Sequence, residues 1–338
     1  RYVAKGAPVR FRVTCRKSKL YHSDAVAERL AGALAHRVGG APAIEVLDGD
    51  ETGERDEGEE GEAPAGAQLF TARFFHDRCT VSADSSGALL HLRGYRRAVG
   101  KAPLRETLAA ALLLGAGWDG TTPLVDPLCG SGTIAIEGAL IARRMAPGAR
   151  RRFAFMDWPG YDEALWTGLV ERARAGVLPA PPAPIFASDR DAGATAAAAA
   201  NAERAGVAAD IGIATQALSN AIPPEGSGPG LVAANPPYGV RVGDQDRLRN
   251  LYAQLGKLLG ARFAGWRVAL LSADRVLEGQ VGLPLAEALR TTNGGIPVRV
   301  VVGEVEEGAT DVSEQADHRR GARGSTPPAS APDASQAG

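Results

Sequence analysis

Apolar positions along this chain recur with two periods. Near the N-terminus "VRFRVTCR" alternates apolar and basic residues, as a strand with one buried face does, and the run through "SDAVAERLAGALAHRV" changes to helical spacing. "LFTARFF" and "CTVSAD…ALLHL" read as further strands, so residues 1–93 suit a small α+β domain. "PLRETLAAALLLG", residues 103–115, opens with proline at a helix start and closes with glycine, which predicts a leading helix inside a linker over 94–120. From 121 to 305 strand-like runs ("PLVD", "PIFASD", "IGIATQ", "GLVAANPPY", "RVALLSA") alternate with helical ones ("TIAIEGALIARRM", "ATAAAAANAERAGV", "LRNLYAQLGKLLGARF"). That pattern predicts a doubly wound, mostly parallel sheet with helices on both faces, an α/β fold. Two stretches carry neither period. An acidic, Gly-rich insertion at 48–67, centred on "DGDETGERDEGEEGE", is expected to be disordered, because it has too little apolar surface to offset its chain entropy. The low-complexity tail at 306–338 is expected to be disordered as well.

Composition narrows the picture. With 338 residues, 45% of them hydrophobic, the chain has material for two cores. No apolar run approaches the ~18–20 residues that cross a bilayer, and nothing reads as a signal peptide, so the cytoplasm is the expected compartment and no membrane partner is expected. The chain begins at Arg1, which marks a candidate fragment end. Cys15, Cys79 and Cys129 stand far apart without C-x-x-C spacing, which argues for neither a disulfide framework nor a metal. The net charge of -1 hides segregation, since the acidic block masks a basic N-terminal region carrying Arg10, Arg12, Arg16, Lys17 and Lys19. A second cluster, "RGYRRAVGK", holds Arg93, Arg96 and Arg97. Either cluster alone reads as a solvated face. Together, with Tyr21 and Tyr95 among the charges, they make Arg16, Lys17, Lys19, Arg93, Arg96 and Arg97 candidate RNA contacts.

The chemistry concentrates in three motifs. In "VDPLCGSGTIAIEGAL" the strand end Asp126-Pro127 leads into the turn Gly130-Ser131-Gly132-Thr133 and a helix, an arrangement that lets a ligand approach backbone and helix N-terminus closely. The turn lacks the lysine of a phosphate-binding loop; a dinucleotide site and a plain tight turn both remain open. A second acidic strand end places Asp189 where a carboxylate accepts ribose hydroxyls, while Asp191 suits a helix cap. The gap from the glycines to Asp189 far exceeds the ~20 residues of a dehydrogenase. It is filled by "RRFAFMDWPGYDEALW", where Trp158, Tyr161 and Trp166 read most simply as packing residues, with base stacking as the alternative. The third motif, Asn235-Pro236-Pro237-Tyr238, stops an apolar strand. Residues 121–305 contain no histidine, and Cys129 is their only thiol, which disfavours histidine-based hydrolysis and cysteine-dependent carbon methylation.

In this order "DPLCGSGT", "SDRDAGATAAAAANAERAG" and "NPPYGVR" resemble the S-adenosylmethionine-dependent class I methyltransferases that modify exocyclic amino groups. "FRVTCRKSKLYHSDAVAERL", "LHLRGYRRAVGKAPLRETLAAALL", "RRFAFMDWPGYDEALW" and "TTNGGIPVRV" narrow the likeness to the THUMP-domain RNA guanine-N2 methyltransferases, bacterial large-subunit ribosomal branch, over about residues 9–303. The resemblance implies a class I, Rossmann-like domain preceded by a THUMP-containing one. It implies S-adenosylmethionine held by Asp126, Pro127, Gly130, Ser131, Gly132, Thr133 and Asp189. It implies Asn235, the Pro236 carbonyl and Tyr238 at the N2 amine of a guanine in 23S ribosomal RNA. Transfer RNA, a glutamine amide and adenine N6 are the alternative acceptors. "IATQALSNAI" departs from the family pattern by lacking an acid for the cofactor's adenine; Gln216 or Ser219 is the candidate replacement.

Overall fold

The computed structural model describes residues 1–38, 44–47, 66–96, 104–238 and 245–306. Most of the acidic insertion, Arg97 and the tail beyond 306 lie outside the described residues.

The N-terminal alternation forms a four-stranded sheet in the order β2-β1-β3-β4, from β1 (Val9–Arg16), β2 (Ile44–Leu47), β3 (Gln68–Phe75) and β4 (Arg78–Ala83). β1 runs parallel to β2 and β3, whereas β3 and β4 form an antiparallel hairpin. Val9, Phe11, Val13 and Ala72 bury against Ala27 and Ala31 of helix α1 (Ser23–Val38), a small core of its own. His76 and Asp77, both at positive φ, turn the hairpin, and the Asp77 carboxylate accepts the Lys19 amide at 2.6 Å.

The second sheet has seven strands in the order β10-β11-β9-β8-β5-β6-β7. These are β5 (Leu124–Asp126), β6 (Ile185–Asp189), β7 (Ile211–Thr215), β8 (Leu231–Ala234), β9 (Arg267–Ser272), β10 (Ala286–Asn293) and β11 (Ile296–Glu304). β5 to β9 are parallel, and β11 is antiparallel to both its neighbours. One face is covered by α2 (Glu106–Gly115), α3 (Thr133–Ala142) and α5 (Ala192–Ala205), which contribute Leu112, Leu113, Ile136 and Ala198. Leu255, Leu259 and Tyr252 of α6 (Gln245–Arg262), with Leu277 of α7 (Arg275–Gln280), cover the other. The remaining helix, α4 (Glu163–Ala175), follows an aromatic cluster in which Phe155 lies 5.1 Å from Trp166. Trp158 reaches the first sheet, donating from Nε1 to Gln68 Oε1 at 2.5 Å.

Two expectations need correction. "ALLHL" is a turn rather than a strand: the Arg151 guanidinium takes the carbonyls of Ser86 and Leu89, and the Leu92 amide returns to Leu89, so these groups are unavailable to a sheet ladder. Arg93 and Arg96, expected on an RNA-facing surface, are buried in ion pairs. Arg93 lies 3.1 Å from Glu137 and Arg96 lies 3.4 Å from Glu106, with 9% and 4% of their side chains exposed. The Tyr95 hydroxyl also donates to Glu137, at 2.9 Å. Burial raises the Glu137 carboxyl to about 7, against the pull of Arg93 and Tyr95.

Glu137→Ala should therefore cost roughly 3–5 kcal/mol, because Arg93 is left buried without its counter-charge. Glu137→Gln, which keeps an acceptor for Tyr95, should cost less. Urea unfolding of the two variants checks this, and a loss below about 1 kcal/mol in the alanine variant would show the pair to be dispensable.

Candidate active site

Strand order reverses at β5: the chain steps outward through β6 and β7, then returns to lay β8 against the other side of β5. Leu124 pairs with Leu231 and Val125 with Val232. Crevices for ligands open outside the carboxyl ends of strands at such a reversal. Here it receives the glycine loop after β5 and the Asn-Pro-Pro-Tyr segment after β8.

The loop is shaped by glycine and held by side chains. Gly130 and Gly132 have φ of 51° and 84°, which favour glycine, and a Cβ on Gly132 would fall 2.8 Å from that of Ala198. A Cβ on Gly130 would meet nothing within 4 Å, so its surroundings admit a ligand. Asp189 accepts the Gly130 amide at 3.0 Å on one oxygen and the Asp191 amide at 3.0 Å on the other. Each oxygen keeps a further lone pair for a ligand hydroxyl. Ser131 offers its carbonyl to Asn201 Nδ2 at 3.0 Å, Asn201 accepts from Arg204, and Arg204 Nε donates to the Tyr95 carbonyl at 2.7 Å. Thr133 opens α3 and is buried, as is Pro127. Gln216, just past β7, donates its amide to the Asp189 carbonyl at 2.9 Å, which puts it beside the ribose-binding candidate.

β8 is buried along its whole length and ends at Ala234. Pro236 is buried, and Tyr238 is half-buried with its hydroxyl accepting from Asn293 Nδ2 at 2.8 Å. Burial pushes the Tyr238 hydroxyl up, with the Asn293 hydrogen bond opposing, so it stays protonated. Asn235 Oδ1 is buried and has no hydrogen-bond partner among the described residues; the same holds for Asp126 Oδ2. Orphaned buried acceptors are rare and cost about 1–3 kcal/mol each. Two of them on neighbouring strand ends mark a place for a ligand that brings donors. Burial above all pushes the Cys129 thiol up and keeps it protonated, hence a poor nucleophile. Among the described residues no three metal-ligating side chains gather, and no helix is long and apolar enough to cross a membrane.

Residues 93–300 match the family UPF0020, described as an RMKL-like methyltransferase domain. The chain belongs to the RMKL-like methyltransferase family. It is 38% identical over 238 residues to a putative RNA methyltransferase of Synechocystis, covering 70% of this chain and 62% of that protein. It is 40% identical over 238 residues to the ribosomal RNA large subunit methyltransferase K/L of Methylococcus capsulatus, covering 68% of this chain and 32% of that one. The chain thus spans less than two thirds of the length of either relative. Among solved structures it resembles SMU.472, a putative methyltransferase complexed with SAH, at TM-score 0.74 and 26% identity over 90% of this chain and 77% of that one.

Because β5 pairs with β6 and with β8, the cofactor candidates of this RMKL-like chain and the segment Asn235, Pro236 and Tyr238 follow the ends of adjacent strands. The basic candidates lie elsewhere. Arg16, Lys17 and Lys19 are exposed at the end of β1 on the other sheet. Asn293, Asn201 and Arg204 escaped the sequence reading. The turn signal of "NGG" after "TT" and a lone asparagine in an alanine-rich helix were the available clues.

Burial pushes the Asp126 carboxyl up to about 8; the Leu128 amide opposes and the Asp189 charge adds. The folded chain therefore holds a proton that the unfolded chain releases near pH 4, and stability falls as pH rises from there to about 8. Asp126→Asn cannot ionise, so its unfolding free energy should decline less than wild type between about pH 5 and about pH 8. Parallel slopes in urea titrations would mean that Asp126 is already ionised in the folded protein.

Proposed function

We propose that this chain transfers a methyl group from S-adenosylmethionine to the exocyclic N2 of a guanine in RNA, in 23S ribosomal RNA. The observation that carries the reading is the buried, unpartnered Asn235 Oδ1 beside the glycine loop. A guanine amino group is a poor nucleophile because its lone pair is delocalised into the ring. Asn235 Oδ1 accepts one amino hydrogen and the Pro236 carbonyl the other, which fixes the nitrogen and localises its lone pair outward. Proline after Asn235 disfavours helical backbone there and keeps the pair extended. Tyr238, tethered by Asn293, presents a ring on which the base stacks, worth roughly 1–3 kcal/mol.

The residues present suit the cofactor: Asp189 for ribose hydroxyls, the Gly130 to Thr133 turn for close approach, Asp126 for a donor group, Gln216 or Ser219 near the adenine. When bound, the cofactor supplies a methyl on positively charged sulfur, activated for displacement. The protein's contribution is orientation; the methylated nitrogen is strongly acidic and gives its surplus proton to water, so no strong base is needed. This fits a segment without histidine.

RNA capture belongs to the N-terminal sheet, read as a THUMP-like unit. Arg16, Lys17 and Lys19 lie near exposed Arg73, Phe75 and Arg78, because Arg16 pairs with Phe75 and Phe75 with Arg78. Tyr21, 71% exposed, follows in the chain. The ribosomal choice over transfer RNA rests on the K/L relatives at about 40% identity. A paired guanine flips out to reach the crevice, at roughly a few kcal/mol.

In a strain lacking the gene, wild-type protein should restore N2-methylguanosine in 23S RNA, whereas Asn235→Ala should turn over about 10²- to 10³-fold more slowly with cofactor affinity within a few-fold. Mass spectrometry of separated 23S and transfer RNA, with calorimetry, reads this; restoration only in transfer RNA moves the substrate, and full turnover by the variant sinks the mechanism.

Phosphate contacts make affinity fall with the logarithm of salt concentration. Neutralising Arg16, Lys17 and Lys19 together should weaken RNA binding and flatten that slope. Unchanged salt dependence would reduce the cluster to a solvated face.

A further inference from the structure

A cleft of about 430 Å³ lies between the start of α2 and strand β10, at the edge of the seven-stranded sheet. Its apolar walls include Leu108 and Leu289, and Arg105, Thr107, Arg290 and Thr291 surround them. We propose that this cleft is a second RNA subsite, which seats the nucleotide flanking the target guanine. The inference rests on the proposed reading of the chain as an RNA methyltransferase.

Position argues for it first. β10 ends at Asn293, the residue that holds the Tyr238 hydroxyl, so Thr291 and Arg290 stand two and three residues before the tether of the base-stacking ring. A nucleotide extruded onto Tyr238 remains covalently joined to its neighbours and draws their phosphates to the rim of the crevice. Those phosphates must lie against a surface near Tyr238, and β10, which lines this cleft, runs on to the residue bonded to that ring.

Chemistry agrees with position. Guanidinium forks and hydroxyls suit phosphate oxygens, and the leucine walls suit a ribose or an unstacked base. The acids nearby do not oppose an anion strongly. Glu106 is 1% exposed and sits 3.4 Å from Arg96, its charge spent within the protein. Glu287 pairs with Arg290 at 2.9 Å and lies 3.6 Å from Arg299; the Arg290 side chain is 65% exposed, and an ion pair at such a position contributes little. β10 is exposed for most of its length, Arg290 included.

The test uses the full chain, S-adenosylmethionine and 23S RNA purified from a strain lacking the enzyme. Arg105→Gln with Arg290→Gln should raise the KM for RNA at least about tenfold and flatten its dependence on log salt by about 1.4, the contribution of two cations on a single strand. Cofactor affinity should stay as in wild type, which reports an intact fold. Arg290→Gln alone, at an exposed position, should show about half the change in slope, and Arg290→Lys should restore most of it. An unchanged KM and salt slope in the double variant overturns the subsite. A fall in kcat without a change in KM also overturns it, by placing these residues in support of the fold. If wild-type enzyme methylates neither 23S nor transfer RNA, the underlying reading falls and the subsite with it.

Discussion

The pairing of β5 with β8 is the constraint on which the site depends. Only because these strands are neighbours do the glycine loop and Asn235 follow adjacent strand ends. The two segments are far apart in the chain, and neither makes a site alone. Leu124, Val125, Leu231 and Val232 are almost fully buried, and helices cover both faces of the sheet at this point. The strand ends therefore have little freedom to shift, and the polar groups beyond them inherit that fixity. Asp126 and Asn235 can be left with unpaired acceptors because the surrounding core tolerates the cost.

A chain of buried polar contacts runs from the linker to the glycine loop. Tyr95 donates to Glu137 on α3 and accepts from Arg204, which holds Asn201, which holds the Ser131 carbonyl. Tyr95, in the segment leaving the N-terminal sheet, is thus bonded to α3 directly and to the glycine turn through Arg204 and Asn201. The aromatic cluster after α3 makes a second connection through Trp158 and Gln68. The N-terminal sheet and the seven-stranded sheet are in this way tied to each other by hydrogen bonds.

Much of this was legible from period and punctuation. The alternating runs gave the strands and helices of the doubly wound sheet, and two acidic strand ends around a glycine turn located the crevice. What was not legible depended on distant partners. Arg93 and Arg96 look like surface cations until Glu137 and Glu106, on helices that read as apolar, are seen to neutralise them. "ALLHL" looks like a strand until Arg151, far along the chain, claims its carbonyls. The β10–β11 hairpin was missed at β10, an exposed edge strand that carries no apolar run. Asn293 was invisible for the same reason, since nothing local shows that a hairpin tip will reach Tyr238.

That tip is governed by register. Side chains alternate across a strand, so a slip of one residue in β10 against β11 would turn Asn293 away and aim a different residue at Tyr238. Pairing is regular from Leu289 to Asn293 but shifts between Glu287 and Leu289, where the ladder carries a bulge. A bulge takes up an extra residue without disturbing the pairs beyond it. The connection leading into β10 can therefore lengthen or shorten as sequences drift while the tether stays in step. The stretch between the bulge and the turn has no such slack, so its length works as a fixed gauge for the pocket.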